Sequence, residues 1–324
     1  MSENQKPTQK WQQKFGGSVE CCFVGDVDGD GENEITAGTF DGTLGVFSGK
    51  TGKQKWQQKF KDSVECCFVG DVDGDGENEI TAGIGKTLRV FSGKTGKQKW
   101  QQKFEHSVEC CFVGDVDGDG KNEITTGTLN GTLGVFSGKT GKQKWQQKFK
   151  NSVWCCFVGD VDGDGKNEIT TGTLNGTLRV FSGKTGKQKW QKKFGGSVEC
   201  CFVGDVDGDG ENEITAGTFG GTLGVFSGKT GEQKWQKEFG DWVLCCFVGD
   251  VDGDGENEIT AGTFDGTLGV FSGKTGKQKW QKEFGDWVLC CFVGDVDGDG
   301  ENEITAGTFG TLGVFSGKTG EQKW

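Results

Sequence analysis

Apolar and polar residues alternate in short runs along this chain, and glycine-rich turns separate the runs. The first full set starts at Ser18 with "SVECCFVGDV". It continues with "EITAG" from Glu34, "TLGVFS" from Thr43 and "KQKWQQKF" from Lys53. Their length, period-two alternation and bounding turns predict four β-strands, A to D. Asp41-Gly42 predicts a tight hairpin turn between B and C, because such pairs accept positive φ. "GKTG" from Gly49 turns the chain between C and D. No stretch carries a helical period, and no proline falls inside a strand.

The set then repeats. An acidic loop begins at Asp26, Asp71, Asp115, Asp160, Asp205, Asp250 and Asp295, in steps of 44 or 45 residues. Gln-Lys-Trp recurs in step with it, from Trp11 to Trp324. Four short strands in such a period are the signature of a propeller blade. One sheet of this kind is apolar on both faces and must be buried by neighbours. The expected fold is all-β: a seven-bladed β-propeller with four antiparallel strands per blade, strand A nearest the axis. It forms one domain over residues 8–324, after a disordered tail, Met1 to Pro7. "TQKWQQKF" (Thr8 to Phe15) is a D strand with no A, B or C before it. It is expected to complete the last blade beside Thr311 to Ser316, closing the ring and removing two open sheet edges. Gln322 to Trp324 duplicates part of that strand, so one copy must sit elsewhere or fray.

The formal net charge of −12 and pI near 4.8 argue against a nucleic-acid partner. The longest apolar run, "VLCCFV" from Val243, is too short to span a membrane, and no signal-peptide core follows Met1. The fourteen cysteines are seven adjacent pairs, from Cys21-Cys22 to Cys290-Cys291. Neighbours on a strand face opposite ways, and bonding them to each other strains the bridge. Equivalent cysteines of different blades are expected to lie too far apart to pair. The cysteines therefore read as small buried apolar residues with free thiols, which points to a reducing, cytoplasmic setting. His106 is the sole histidine, so no His-based acid–base pair is available. "SGKTGK" lacks the spacing of a P-loop and leads into a strand.

The A–B loop carries the candidate chemistry. In "DVDGDGENE", Asp26, Asp28 and Asp30 hold positions 1, 3 and 5, Gly31 permits a sharp turn at 6, and Glu34 is at 9. Glu32 at position 7 offers its backbone carbonyl. Alternate side chains in a curled loop converge on one point, and hard oxygen donors in that number suit Ca²⁺. The same pattern places Asp71, Asp73, Asp75 and Glu79 in the second repeat, Asp115, Asp117, Asp119 and Glu123 in the third, and Asp160, Asp162, Asp164 and Glu168 in the fourth. Asp205, Asp207, Asp209 and Glu213 follow, then Asp250, Asp252, Asp254 and Glu258, then Asp295, Asp297, Asp299 and Glu303. Position 7 is Glu77, Lys121, Lys166, Glu211, Glu256 and Glu301 in these copies. Up to seven Ca²⁺ ions, one per blade, are expected to neutralise the clusters and tie strand A to strand B. The loop is not an EF-hand, because it joins strands and Ala37 stands where a bidentate Glu would be.

"FVGDVDGDGENEI" resembles the FG-GAP/VCBS-type repeat of integrin α-subunit propellers, over all seven repeats. The resemblance implies calcium at the residues just named, with Glu at position 9 where that family usually has Asp. "SGKTGKQKW" is similar to the tryptophan-docking turn of quinoprotein-like propellers. It implies that Trp56 and its equivalents pack between blades.

Variation within the chain gathers in the B–C turns and D–A connections, at one end of the blades, while the A–B and C–D connections hardly change. The varied sequences hold Trp154, Trp242 and Trp287, which stand outside the repeat and are candidate ligand-binding residues. The first reading of function is a non-enzymatic, calcium-stabilised scaffold binding a protein partner on the B–C/D–A face, as a monomer. A carbohydrate-binding lectin is the alternative, as is a designed or recently amplified symmetric propeller without a specific ligand. A quinoprotein-like enzyme is the third.

Overall fold

Each repeat folds only against its neighbours, because one four-stranded sheet cannot bury both of its apolar faces alone. The computed structural model describes residues 12–321. They form seven four-stranded antiparallel sheets, with strands in chain order from A to D. In the first blade these are Val19–Gly25, Glu34–Thr39, Thr43–Ser48 and Gln54–Lys59. In the seventh, Val288–Gly294, Glu303–Thr308 and Thr311–Ser316 are joined by Gln13–Lys14 from the start of the chain. Gln13 pairs with Leu312 and Lys14 with Thr311, so the ring is closed by its first strand. The remainder of the expected D strand, Thr8 to Trp11, lies outside the described residues, as do Met1 to Pro7 and Gln322 to Trp324.

Two features add to the sequence expectation. The B–C turn is tight as expected, with positive φ at Gly42, 84°, and not at Asp41. The Asp41 carboxylate instead accepts the hydroxyls of Thr39 and Thr43, 2.5 and 2.9 Å away, and pairs with Lys59 at 2.7 Å. The second feature is the cysteines. All fourteen are free, and all but Cys246 are buried. Within a pair the two thiols face opposite ways, but each meets a non-equivalent thiol of a neighbouring blade. Cys21 packs with Cys67, Cys66 with Cys111, and so on to Cys290 with Cys22.

The axis is lined by the A strands. Phe23, Phe68, Phe112, Phe157, Phe202, Phe247 and Phe292 touch in sequence and close on themselves, with ring centroids 4.4–4.7 Å apart. Four A strands also carry a glutamate at their second position: Glu20, Glu65, Glu109 and Glu199. Trp154, Leu244 and Leu289 take that place in the other three.

Between blades, one polar lock recurs. The Asn122 side-chain amide donates to the Asp71 carbonyl of the preceding blade at 2.6 Å. The Gly138 N–H donates to the Asn122 carbonyl at 3.0 Å. Trp100 of the preceding blade donates its indole N–H to the Gly138 carbonyl at 2.8 Å. Gly138 is needed for space: a Cβ there would stand 2.1 Å from the Val72 carbonyl oxygen. The first and last blades are joined in the same way, by Asn33 to the Asp295 carbonyl at 2.6 Å and Gly49 N–H to Asn33 at 2.9 Å.

Two predictions follow from this packing. Gly138→Ala should lower unfolding stability by about 3 kcal/mol, as overpacking against backbone does. Trp100→Phe, which loses one hydrogen bond, should lower it by about 1 kcal/mol; urea unfolding compares the two. The second concerns Glu109, whose carboxyl is pushed up to about 7 by burial and by the Glu65 charge. The folded chain then holds a proton that the unfolded chain releases above the ordinary value of 4.5. This contribution is complete below that value and is lost as pH rises through about 7. Glu109→Gln should therefore match the parent in urea midpoint at pH 4 and exceed it at pH 8.

Candidate functional site

The A–B loops are shaped by glycine and by backbone N–H groups turned inward. Gly29 and Gly31 take positive φ, 76° and 87°. The Asp26 carboxylate accepts the N–H groups of Gly29, Asp30 and Gly31 at 2.7, 3.1 and 3.0 Å. Asp30 accepts the N–H of Glu32 at 2.9 Å. Glu34, fully buried at the start of strand B, accepts the Val27 N–H at 2.9 Å. One oxygen each of Asp26, Asp28, Asp30 and Glu34 lies within 4.8 Å of the others. Asp205, Asp207, Asp209 and Glu213 converge in the same way, as do Asp250, Asp252, Asp254 and Glu258, and Asp295, Asp297, Asp299 and Glu303. In the second blade Asp71, Asp73 and Glu79 converge. The position-7 side chains, from Glu32 to Glu301, are exposed.

A cation already reaches these clusters from the chain itself. Lys55 on strand D places Nζ 2.7 Å from Asp28, 2.9 Å from Asp30 and 2.7 Å from Glu34. Lys99, Lys144, Lys189, Lys234 and Lys279 do the same in the next five blades. Burial alone would weaken the Lys55 ammonium, but its bonds to Asp28, Glu34 and Asp30 outweigh that and hold it well above the ordinary lysine range. Burial pushes the Glu34 carboxyl up, while Lys55 and the Val27 N–H oppose the shift.

The third and fourth blades add a second cation. Lys121 and Lys166 at position 7 lie 3.6 and 3.2 Å from Asp119 and Asp164. In those blades the strand D lysine stands farther from the same aspartates, at 3.5 and 3.9 Å.

The donor set suits a hard cation. Every convergent atom is a carboxylate oxygen. One carboxylate oxygen of Asp28 is buried without a hydrogen-bond partner, and so is one of Asp73, Asp117, Asp162, Asp207 and Asp252. A buried carboxylate oxygen without a partner is costly, so each of these six loops has an unused oxygen donor. An ion that takes all four carboxylates must displace the lysine, which is a quarter exposed at its side chain.

Sequence reading missed this lysine and Asn33. The lysine had a signal. On strand D of the first six blades the Lys of Gln-Lys-Trp is adjacent to the docking Trp, so the two point to opposite faces. Trp56 reaches the next blade, donating to the Gly93 carbonyl at 2.6 Å, while Lys55 reaches its own acidic loop.

The three tryptophans do not form one site. Trp154 is in strand A of the fourth blade, half-buried, with its indole N–H unpartnered. Trp242 and Trp287 sit at D–A connections and join a row of rings across the last three blades. Phe219 stacks on Trp242 at 3.8 Å, and Trp242 lies against Phe264 at 4.3 Å. Phe264 stacks on Trp287 at 4.2 Å, and Trp287 meets Phe309 edge-on at 6.2 Å. Phe219, Trp287 and Phe309 are exposed, as are Phe40, Leu129 and Leu174 at other B–C turns.

Among the described residues, no helix is long and apolar enough to cross a membrane. The family model of the ciliary BBSome complex subunit 2, middle region, matches residues 66–181, less than half of the chain. No curated protein matches. Among solved structures, the crystal structure of the computationally designed Ika8 protein is similar with a TM-score of 0.66 and 15% identity, over 94% of this chain and 97% of that one. BBS1N in complex with ARL6DN, soaked with lead, is similar with a TM-score of 0.74 and 13% identity, over 95% and 97%. The mercury-soaked form of that complex gives 0.76 and 13%, over 94% of each chain. At these identities the likeness shows the fold alone, and with the strand order above, the chain is a seven-bladed β-propeller.

Proposed function

We propose that this chain is a non-enzymatic scaffold that docks a protein partner on its B–C/D–A face, and that its acidic loops take up Ca²⁺ in exchange for their own lysines. The observation that carries the first part is the row Phe219–Trp242–Phe264–Trp287–Phe309. Exposed contiguous apolar surface marks interaction sites, and aromatic side chains dominate binding energy at protein interfaces. A sugar ring needs an open aromatic face. Both faces of Trp242 are covered by phenylalanines, and one face of Trp287 is covered by Phe264. Rings already packed on one another suit a protein surface better than a lectin pocket. Asp241, Asp265 and Asp286 adjoin its rings in sequence, so a partner with apolar side chains beside basic ones fits it. BBS1N, structurally similar, is held in complex with ARL6DN in its crystal structures, which supports a docking role for this architecture.

Peptides selected from a displayed library on the folded protein should be rich in apolar and basic residues. Trp287→Asp with Phe309→Ser should weaken them at least tenfold. Selected peptides that bind the double variant as tightly as the parent would discard the row, and blade-repeated binding on a glycan array would favour the lectin reading.

In the loops, Asp26, Asp28, Asp30 and Glu34 would hold the ion, which supplies two charges where Lys55 supplies one. Lys55→Met should lower metal-free stability by about 1–2 kcal/mol, because buried Glu34 loses its partner. The same variant should bind Ca²⁺ at that loop at least about tenfold more tightly than the parent. The loops of the third and fourth blades, with their extra lysines, should fill last. Calorimetry with CaCl₂ and thermal melts in EDTA measure both effects. If millimolar CaCl₂ gave no heat and no melting shift in either protein, calcium uptake would be rejected.

A further inference from the structure

The cysteine pairs hold a second chemistry, separate from the loops and the aromatic row. Each of the seven blade interfaces brings one thiol from either side into the same packed cluster. The pairs are Cys21 with Cys67, Cys66 with Cys111, Cys110 with Cys156, Cys155 with Cys201, Cys200 with Cys246, Cys245 with Cys291, and Cys290 with Cys22. In every one the two thiols interact across the interface and shift each other's proton affinity. The strands that carry them run side by side around the axis, with Cα atoms approaching within 8 Å across the interface. Packing alone asks only for small apolar residues here. A sulfur on both sides of all seven interfaces goes beyond that need.

We propose that this belt is a redox modification site, in which hydrogen peroxide converts each facing thiol pair into a disulfide between neighbouring blades. One thiolate attacks peroxide; the O–O bond breaks, giving a sulfenic acid, and the other oxygen leaves as water. The partner thiol then attacks the sulfenic sulfur and releases a second water. Two S–H bonds and one O–O bond are replaced by one S–S bond and two O–H bonds. Sulfur is oxidised and peroxide oxygen reduced. Six of these bridges link consecutive blades, and the seventh, Cys290 to Cys22, joins the last blade to the first. Closing so long a loop restricts the unfolded chain most.

Buried thiols react slowly, because the thiolate is the nucleophile. The neighbouring Cys246 thiol and burial hold Cys200 well above the ordinary thiol range, and Cys21 is raised by burial and by Cys67. Oxidation should therefore quicken as pH rises.

The test treats the folded full chain with hydrogen peroxide at pH 7 and pH 9, blocks residual thiols under denaturing conditions and maps tryptic peptides without reduction. Each blade gives a cysteine peptide of distinct sequence, such as "FEHSVECCFVGDVDGDGK" from Phe104 and "NSVWCCFVGDVDGDGK" from Asn151. The expected result is loss of free thiols two at a time, cross-links only between peptides of neighbouring blades, and a rise in urea midpoint that dithiothreitol reverses. Cys110→Ala should abolish the link between the third and fourth blades and spare that between the second and third; Cys111→Ala should do the reverse. The wild-type map stands even where a variant folds poorly. Bridges within one peptide, bridges between distant blades, sulfinic acids without bridges, or fourteen unchanged thiols at pH 9 would each overturn the proposal.

Discussion

Burial of both faces of every sheet against the next is the constraint on which this molecule rests. A four-stranded blade with apolar residues on each face is stable only between neighbours, so no blade stands alone and no end can be left open. The Asn–Gly–Trp lock shows how the contact is kept specific as well as apolar. The asparagine amide reaches back to one loop carbonyl, the glycine lets two backbones approach, and the indole N–H takes up the glycine carbonyl. Repeated around the ring, this converts a non-directional drive for burial into one register. The first strand, pairing with the last blade, brings the final interface under the same rule.

The electrostatics follow from that register. In the first six blades the acidic loop lies where strand D of its own blade can reach it, so the Lys next to the docking Trp becomes the counter-ion of a cluster that would otherwise repel itself. One strand thus serves two interfaces, with its Trp facing the next blade and its Lys facing the loop. In the first six blades one oxygen of the position-3 aspartate is left over, and a divalent ion would satisfy it at the cost of the lysine's bonds. The charge in the loop is therefore a compensated store, partly neutralised from within and open to exchange. It is not a bare demand for metal.

Symmetry is broken at the axis and at the varied end of the blades. At the axis, Glu20, Glu65, Glu109 and Glu199 give way to Trp154, Leu244 and Leu289 over three blades. At the varied end, Trp242 and Trp287 insert between B–C phenylalanines and turn separate exposed rings into one row. These changes cluster on the later blades, so the ring presents a distinct sector on a uniform frame.

The sequence by itself determined the elements, their number and their order. Period-two alternation marks the strands, glycine pairs mark the turns, and a repeat of fixed length with a lone D strand at the start leaves a closed seven-bladed ring as the consistent outcome. It also determined that Asp26, Asp28, Asp30 and Glu34 would meet, because a short loop with glycine at fixed places brings local carboxylates together whatever surrounds it. Tertiary structure decided what depends on contacts between residues distant along the chain. Lys55 meets Glu34 only because strand D returns beside the loop, and Cys21 meets Cys67 only because adjacent A strands face each other out of step by one residue. Trp154 and Trp242 look alike as departures from the repeat, yet one lies in an axial strand and the other in a stack of rings. Local pattern fixes backbone geometry through hydrogen bonding and steric preference, whereas the partner of a side chain is chosen by how finished sheets pack.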